Sequence, residues 1–501
     1  MLTAGEIRQF LEQDAASEKK QRARTGERYY EGDHDIRDYR LFFFDADGIL
    51  REDHNRANTK IPHPFYAELV DQGVQYLMSS EQFAFSDDQT LQGILDDKIN
   101  YNDLFRQALA DAIEDASKCG FAWVYVTVDP EGNMVFRGAD ATGVIEVDGR
   151  YTEDGQDHII YHYVDRVDLE GHTVTRIQDW DAQQTVYWMM QDNGEIVRDE
   201  YAEVNPRPHL LYTEDDGDDL YQDGFGFIPF FRLDNNRKQL LLLKTVKPLI
   251  DDYDLMASSL SNNLIDFDHP IYAVKGLDGD NLDELSTNLR TKKTVGVSAD
   301  GGIDVITIDV PYQARVAKLE LDEKSIYRFG MGLNMAGLKD TAATTNMAIK
   351  VAYALLDMRC QKMEGQVKAF LRRIVEVILD AENKSSSTGY RSEDVWFKFT
   401  PVTPTNGQED AQIGLIEAQT KQAQLNSLLM LQTLVGDDTL LQKICEYMEW
   451  DYDDIKDQLP EDPEADVAEA LEVLNERQAE TGAGGAAEGG TEDAEVPPGN
   501  V

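Results

Sequence analysis

Positive charge is scarce in this chain. Its 501 residues carry 47 Lys and Arg against 95 Asp and Glu, a formal net charge of -48 and a pI near 4.3. A surface of that sign repels phosphates and excludes a conventional tight nucleic-acid binder. Adaptation to concentrated salt, where repulsion between carboxylates is screened, accounts for such a surface without any special function. Cysteine is almost absent. Cys119, Cys360 and Cys445 are far apart and odd in number, so they frame neither a disulfide scaffold nor a zinc site, which fits synthesis in a reducing cytoplasm. Long apolar runs are missing too: the Leu run at 240–243 lies between Lys238 and Lys244, far short of a membrane span. Met1 to Arg24 is polar and charged throughout, with no signal-peptide pattern, so the chain reads as soluble.

Catalytic signatures are also lacking. There is no Walker A sequence, and GFGFIP and GMGLNM fail the dinucleotide fingerprint at its third glycine. GVSADG misses the last glycine of a nucleophile elbow. His158 and His162 are four apart like a zinc helix, but Ile159 stands where the glutamate belongs and the setting is a strand. They read as half-buried sheet histidines. The acidic runs DADG, EDDGDD and DGDNLDE lack the spaced carboxylates and final glutamate of a calcium loop and read as solvated turns.

What is present is a change of period along the chain. Residues 1 to about 25 predict a short polar helix, and Arg28 to Asp53 a partly extended, aromatic-rich segment. Pro64–Met78 and Asp103–Lys118 predict helices, the second with Phe105, Leu109, Ile113 and Ala116 on one face. From Phe121 the alternation is that of strands. FAWVYVTV, MVFRG and the runs from His158 to Glu200 form a meander, with turns at Glu170-Gly171 and Asn193-Gly194. Helices followed by this strand-rich block, roughly 121–235, predict an α+β body.

Between 248 and 382 the order is helix, small α/β insert, helix, Gly/Thr-rich loop, very long helix. The first runs from Pro248, suited to a first helical turn, to Phe267, with Leu249, Tyr253, Met256, Leu260 and Leu264 on its apolar face. Asp251, Asp252, Asp254, Ser258, Ser259, Asn262 and Asn263 lie opposite. The second runs from about Gln313 to Asn334, striped by Val316, Leu319, Ile326, Phe329 and Leu333. The third, Asn346 to about Glu382, repeats Met347, Val351, Leu355, Met358, Met363, Val367, Phe370, Ile374 and Ile378. It predicts a rod on the order of 50 Å. The insert at 270–311 holds short strands around a helix from Asn281 to Arg290 and is small for a fold of its own. A lone strand at 394–402 and a helical region from Gln408 to Asp451 follow. The Gly, Ala, Glu and Pro-rich tail from 482 predicts disorder.

Three stretches resemble the portal proteins of tailed viruses of the siphovirus type, the head-to-tail connectors through which DNA enters and leaves the capsid. KPLIDDYDLMASSLSNNLIDFDHPIYAVKG looks like the first stem helix and its passage into the clip. RYYEGDHDI (Arg28 to Ile36) with NTKIPHPFYAELVDQGVQYLMS (Asn58 to Ser79) is similar to the family near its N-terminus, although IPHPF replaces a more polar, proline-poor start of the helix. GLKDTAATTNMAIKVAYALLDMRCQKMEG (Gly337 to Gly365) resembles the tunnel loop and tunnel helix.

The resemblance implies a portal fold: a wing at 1–247, stem helices at 248–267 and 312–334, a clip at 268–311, a tunnel loop at 335–345 and a tunnel helix at 346–383. A wing return strand at 384–403, a helical crown at 404–481 and an acidic tail at 482–501 complete it. It implies no catalysis and no cofactor, a ring of twelve identical subunits at one capsid vertex of the virion, and double-stranded DNA passing through without sequence readout. The terminase large subunit, a head-completion or tail adaptor protein, and the major capsid and scaffolding proteins are its expected partners. Gly337, Leu338, Lys339, Asp340, Thr341, Ala342, Ala343, Thr344 and Thr345 are expected to line the channel, with Lys339 touching passing phosphates. Asn281, Asp283, Glu284, Arg290 and Lys292 are expected on the docking face of the clip. An acidic conduit that does not grip DNA would explain part of the net charge. Two rivals from other classes are an acidic metal-dependent hydrolase or nuclease, and a helical virion scaffold or adaptor without a channel.

Overall fold

A computed structural model of the chain describes residues 1–45, 47–54, 56–129, 132–166, 173–191, 193–213, 220–267, 271–275, 302–306, 311–334, 346–402, 407–430, 437–448 and 452. The chain divides into two compact units, Met1–Thr405 and Asn406–Val501. In the second, helices span Gly407–Leu429 and Asp437–Met448.

The first unit opens with two helices where the sequence predicts one. α1 (Ala4–Ala15) starts on a capping box, Thr3 with Glu6, and α2 (Glu18–Tyr30) starts on the Ser17 side chain. Ser17 diverts the backbone because its hydroxyl offers the free N–H of Lys20 a partner. A hairpin of β1 (Phe42–Phe44) and β2 (Leu50–Glu52) follows, then α3 (Phe65–Met78) and β3 (Ala84–Phe85). α4 (Gln89–Leu95), too short to show a period, precedes α5 (Asp103–Cys119), whose Phe105, Leu109, Ile113 and Ala116 are all buried. Gly120 ends α5 at φ 90°, and a Cβ there would lie 2.5 Å from the Gln239 carbonyl oxygen, so only glycine fits.

The strands form where the alternation predicts, but they divide between two sheets rather than one meander. β4 (Phe121–Val128) pairs with β5 (Met134–Ala139) and, on its other edge, with β14 (Phe230–Asp234). β6 (Val144–Val147), β7 (His158–Arg166), β8 (Thr173–Trp180), β9 (Gln184–Met190) and β10 (Ile196–Arg198) make an antiparallel sheet, with β11 (Arg207–Pro208) added at β9. One face of it is covered by α1: Leu2 and Ile7 pack with Ile160, Ile177, Val186 and Trp188. The turn at Glu170-Gly171 lies outside the described residues. β12 (Leu210–Thr213) and β13 (Leu220–Asp223) form a separate hairpin.

α6 (Leu243–Phe267) starts five residues before Pro248, which therefore sits inside the helix rather than in its first turn. The added turn buries Leu243 and Val246 against Tyr66, Leu69 and Val70 of α3, a gain that outweighs the one hydrogen bond a proline withholds. β15 (Ile271–Lys275) and β16 (Gly302–Ile306) pair antiparallel. α7 (Tyr312–Phe329) stops short of the predicted Asn334 at a Gly330-Met331-Gly332 turn with Met331 at φ 51°. α8 (Asn346–Ser386) is a single helix of 41 residues. Its C-terminal half, from Met363 to Leu379, crosses the main core beside α5 and β14. β17 (Trp396–Phe397) returns to pair with β3, and Phe399 stacks on Phe83 at 5.2 Å. Among the described residues no helix is long and apolar enough to cross a membrane.

Candidate functional site: the helical stem and the strand laid along it

α6 and α7 lie antiparallel as a stem. Lys318 of α7 reaches Asp252 of α6 at 2.6 Å and also pairs with Asp322. At the base, Phe65 meets Tyr253 and Tyr327 edge-on at 4.9 and 5.9 Å, and the Tyr327 hydroxyl donates to Glu68 at 2.6 Å.

The polar face of α6 is not open to water along its length, as its composition suggests. An extended segment, residues 57–63, runs antiparallel to the helix and donates every second amide to it. Ala57 donates to Asp266 at 3.0 Å and Thr59 to the Asn262 side-chain oxygen at 2.7 Å. Ile61 donates to Ser258 at 3.0 Å and His63 to Asp254 at 2.9 Å. The two repeats match: two extended residues advance about 6.6 Å, four helical residues about 6 Å. A row of short acceptors spaced by four thus substitutes for the neighbouring strand that an extended backbone otherwise needs.

Asp254 is the anchor of this row. It is fully buried, and one oxygen accepts both the amide and Nδ1 of His63, while the other accepts Nδ1 of His34 at 2.6 Å. Burial alone would raise its pKa. The hydrogen bonds from His34 and His63 outweigh that and hold the carboxyl below the usual carboxylate range. His34 also faces the Tyr29 carbonyl through Nε2 and stacks on the Tyr29 ring at 4.5 Å. Tyr29 donates to Asp251 at 2.5 Å, and Lys247 spans Asp251 and Asp35. RYYEGDHDI and IPHPF, two quite different stretches, therefore meet on one carboxylate.

The chain leaving α7 at the base of the stem is tied to α3 as well. The Gln72 side chain donates to the Leu333 carbonyl at 2.9 Å and accepts the Leu333 amide at 2.8 Å. Arg359 of α8 donates to the Gly330 carbonyl at 3.1 Å and the Leu69 carbonyl at 2.7 Å. Gly73 leaves it room, since a Cβ there would lie 2.8 Å from Nη2 and push the guanidinium aside. A Cβ on Gly332 would lie 2.2 Å from the Leu69 side chain. The chain is thus pinned to one helix both before 335 and after 345. Phe329, predicted on the inner stripe of α7, is exposed, whereas Ile326 and Leu333 are buried as expected. Phe329 is the last helical residue, beside the Gly330-Met331-Gly332 turn. On α8 the stripe splits: Met347, Val351, Leu355 and Met358 are exposed, and Met363 onward is buried.

The expected channel residues Gly337 to Thr345 and the expected docking residues Asn281, Asp283, Glu284, Arg290 and Lys292 lie outside the described residues. So do the predicted helix 281–290, a strand at 294–298 and the tail. Of the two histidines weighed as a metal pair, His158 is buried between Asp179 at 2.6 Å and Asp154 at 3.1 Å. Burial drives the His162 pKa down to about 4. Among the described residues no three His, Cys, Asp or Glu side chains are grouped to hold a metal ion.

The profile of phage portal proteins of the SPP1 Gp6-like type matches residues 11–449. The chain belongs to that portal family. Two curated relatives are similar to it, both named portal protein. That of Bacillus phage SPP1 is 28% identical over 349 residues, 69% of this chain and 67% of its own length. That of Clostridium phage phiCD119 is 25% identical over 388 residues, 74% and 81%. Portal membership implies a place in the capsid of a phage. The hydrolase and channel-free scaffold readings lose their ground.

Proposed function

We propose that this portal chain is one subunit of a closed ring of twelve at a single capsid vertex, through which the genome is packaged and ejected. The observation that carries this is the bare apolar surface of the helices meant to face neighbours. Leu264 and Ile265 on α6, Leu321 and Phe329 on α7, and Met347, Val351 and Met358 on α8 are all exposed. A head-to-tail interface that closes into a ring covers such faces once per subunit. In this reading residues 1–247 are the wing, 248–267 and 312–334 the stem, 268–311 the clip, 335–345 the channel loop and 346–383 the tunnel helix. Residues 384–403 return to the wing, and 404–481 are the crown.

Terminase large subunit during packaging, and a head-completion or tail adaptor afterwards, would dock at the clip around Asp283 and Glu284. Major capsid and scaffolding proteins would meet the outer wing. DNA passes the loop of small and polar side chains at 337–345, where Lys339 supplies one transient cation per subunit. The ring transports DNA mechanically for the motor and performs no chemistry of its own. Native mass spectrometry of the purified chain, with negative-stain images, tests the reading. Closed rings near twelve copies are expected, and a stable monomer at micromolar concentration overturns it.

A further inference from the structure

The β1–β2 hairpin has a built turn and an uncovered face. The Asp45 carboxylate accepts the Asp47 and Ile49 amides at 3.0 and 2.9 Å and Arg51 Nε at 2.6 Å, so the turn is closed by its own side chain. The register sets Phe44 opposite Leu50 and Phe42 opposite Glu52 on one face. Phe42, Phe44, Ile49 and Leu50 are 55%, 72%, 55% and 55% exposed, with Phe43 at 41%. At ~200 Å² per large apolar side chain, the patch is on the order of 500 Å², near the upper end for a monomer's largest patch. A two-stranded hairpin that exposes so much apolar surface is marginal by itself. So large a bare face points to a partner.

The hairpin is also held in a fixed place. Asn58 donates to the Tyr39 carbonyl at 3.4 Å and Lys60 to the Arg37 carbonyl at 2.6 Å. Residues 57–63 are themselves tied along α6, so the base of the hairpin stands beside Asn262. Residues 36–60 hold five basic and five acidic side chains. In a chain of net charge -48, that neutral stretch is repelled least by another copy of the same acidic protein.

From these observations we infer that the hairpin is a latch between copies: its Phe42/Phe44/Leu50 face seats on the clip-side half of the neighbouring subunit's stem. This rests on the ring reading. With the stem standing along the ring axis, rotation from one subunit to the next leaves every residue at its own height. The latch therefore meets the neighbour's stem at the level of Asn262, where Leu264 and Ile265 of α6 and Tyr312 of α7 are exposed. The same copy leaves both surfaces uncovered, so neither satisfies the other within one chain.

Paired cysteine substitutions in the full chain test the latch, since the native Cys119, Cys360 and Cys445 are buried. Phe44→Cys combined with Leu264→Cys, and separately with Tyr312→Cys, should give on mild oxidation a ladder of linked chains ending at the closed ring. Each single variant should give none. A bond formed only within one chain overturns the latch, as does the absence of any bond in variants that still form rings. In the latter case another virion protein covers the face and the ring reading stands. A wild-type chain that never assembles overturns the ring reading instead. Phe42→Ser with Phe44→Ser should raise the concentration at which rings dissociate by about tenfold or more. Residues 57–63 should stay protected from hydrogen exchange, which separates loss of the latch from loss of the fold.

Discussion

Replacing Asp254 with alanine should release residues 57–63 from α6 while the core of the wing stays folded. The carboxylate is fully buried and accepts three hydrogen bonds, from the His63 amide, His63 Nδ1 and His34 Nδ1. Hydrogen bonds to a charged group contribute ~1.5–3 kcal/mol each, but bonds on one carboxylate are not additive. Removing one partner of a buried ionic contact typically costs ~3–5 kcal/mol. At about 1.4 kcal/mol per factor of ten, the segment should open about a hundred to several thousand times more often. Hydrogen-exchange mass spectrometry of a peptide spanning 56–64 reads this directly, since four of its amides are held only by α6 side chains. Ser258→Ala removes one neutral acceptor, a loss of about 1 kcal/mol, and should speed exchange only severalfold. A pH series adds a sign test. The Asp254 pKa is depressed in the folded state, so its stabilisation is present above the unfolded value of about 3.9 and is lost as pH falls through the lower folded value. Unchanged exchange in Asp254→Ala would refute the reasoning, and so would equal acceleration across the whole chain, which would mean global unfolding rather than local release.

Arg359→Lys should destabilise the junction between α7 and α8 by about 2 kcal/mol, because an ammonium cannot hold the Gly330 and Leu69 carbonyls in one plane; a lowered thermal midpoint with faster exchange at 330–334 checks it. At His158, burial pulls the pKa down, but Asp179 and Asp154 outweigh it and leave the pKa raised. Its stabilisation is therefore complete below the unfolded value of about 6.5 and is lost as pH rises through the folded value, so the meander sheet should melt lower at pH 8 than at pH 6, and His158→Gln should flatten that difference. Rings should loosen on dialysis into dilute buffer and re-form in molar KCl, because subunits of charge -48 repel over a Debye length of about 10 Å at 0.1 M salt and about 3 Å at 1 M; light scattering follows it, and rings equally stable at 0.05 M and 2 M would count against it.

The elements legible in the sequence were those long enough to repeat a period against a continuous core. α3, α5, α8 and strands β4, β5 and β7 to β10 bury one face over many residues, so their patterns stand clear. The boundaries were lost where tertiary contacts outvote local preference. α6 begins at Leu243 because Leu243 and Val246 pack on α3, although Pro248 marks a plausible start. α7 ends at Phe329 because Gly330 and Gly332 must approach Leu69. The segment along the stem was invisible, since Ala57 to His63 has neither helical nor strand alternation. Its signal lay on the other partner: Asp254, Ser258, Asn262 and Asp266, four apart, are a row of short acceptors with no donors of their own register in the helix.

That row also changes what the acidity of the chain means. Many carboxylates serve as acceptors for backbone amides that no secondary structure claims. Asp45, Asp140, Asp148 and Asp181 each close a turn in this way, Asp88 caps α4, Asp179 takes the Leu2 amide, and Asp254 and Asp266 hold the segment on the stem. Such groups are bound by geometry, so salt weakens them little. The exposed carboxylates without a bound donor are the ones that set repulsion between copies. Replacing acids of the first kind with asparagine preserves an acceptor oxygen and should loosen individual loops. Replacing acids of the second kind should leave the fold alone and move only the salt dependence of assembly. The two populations separate in one experiment, the thermal midpoint and the ring fraction measured together across a salt series.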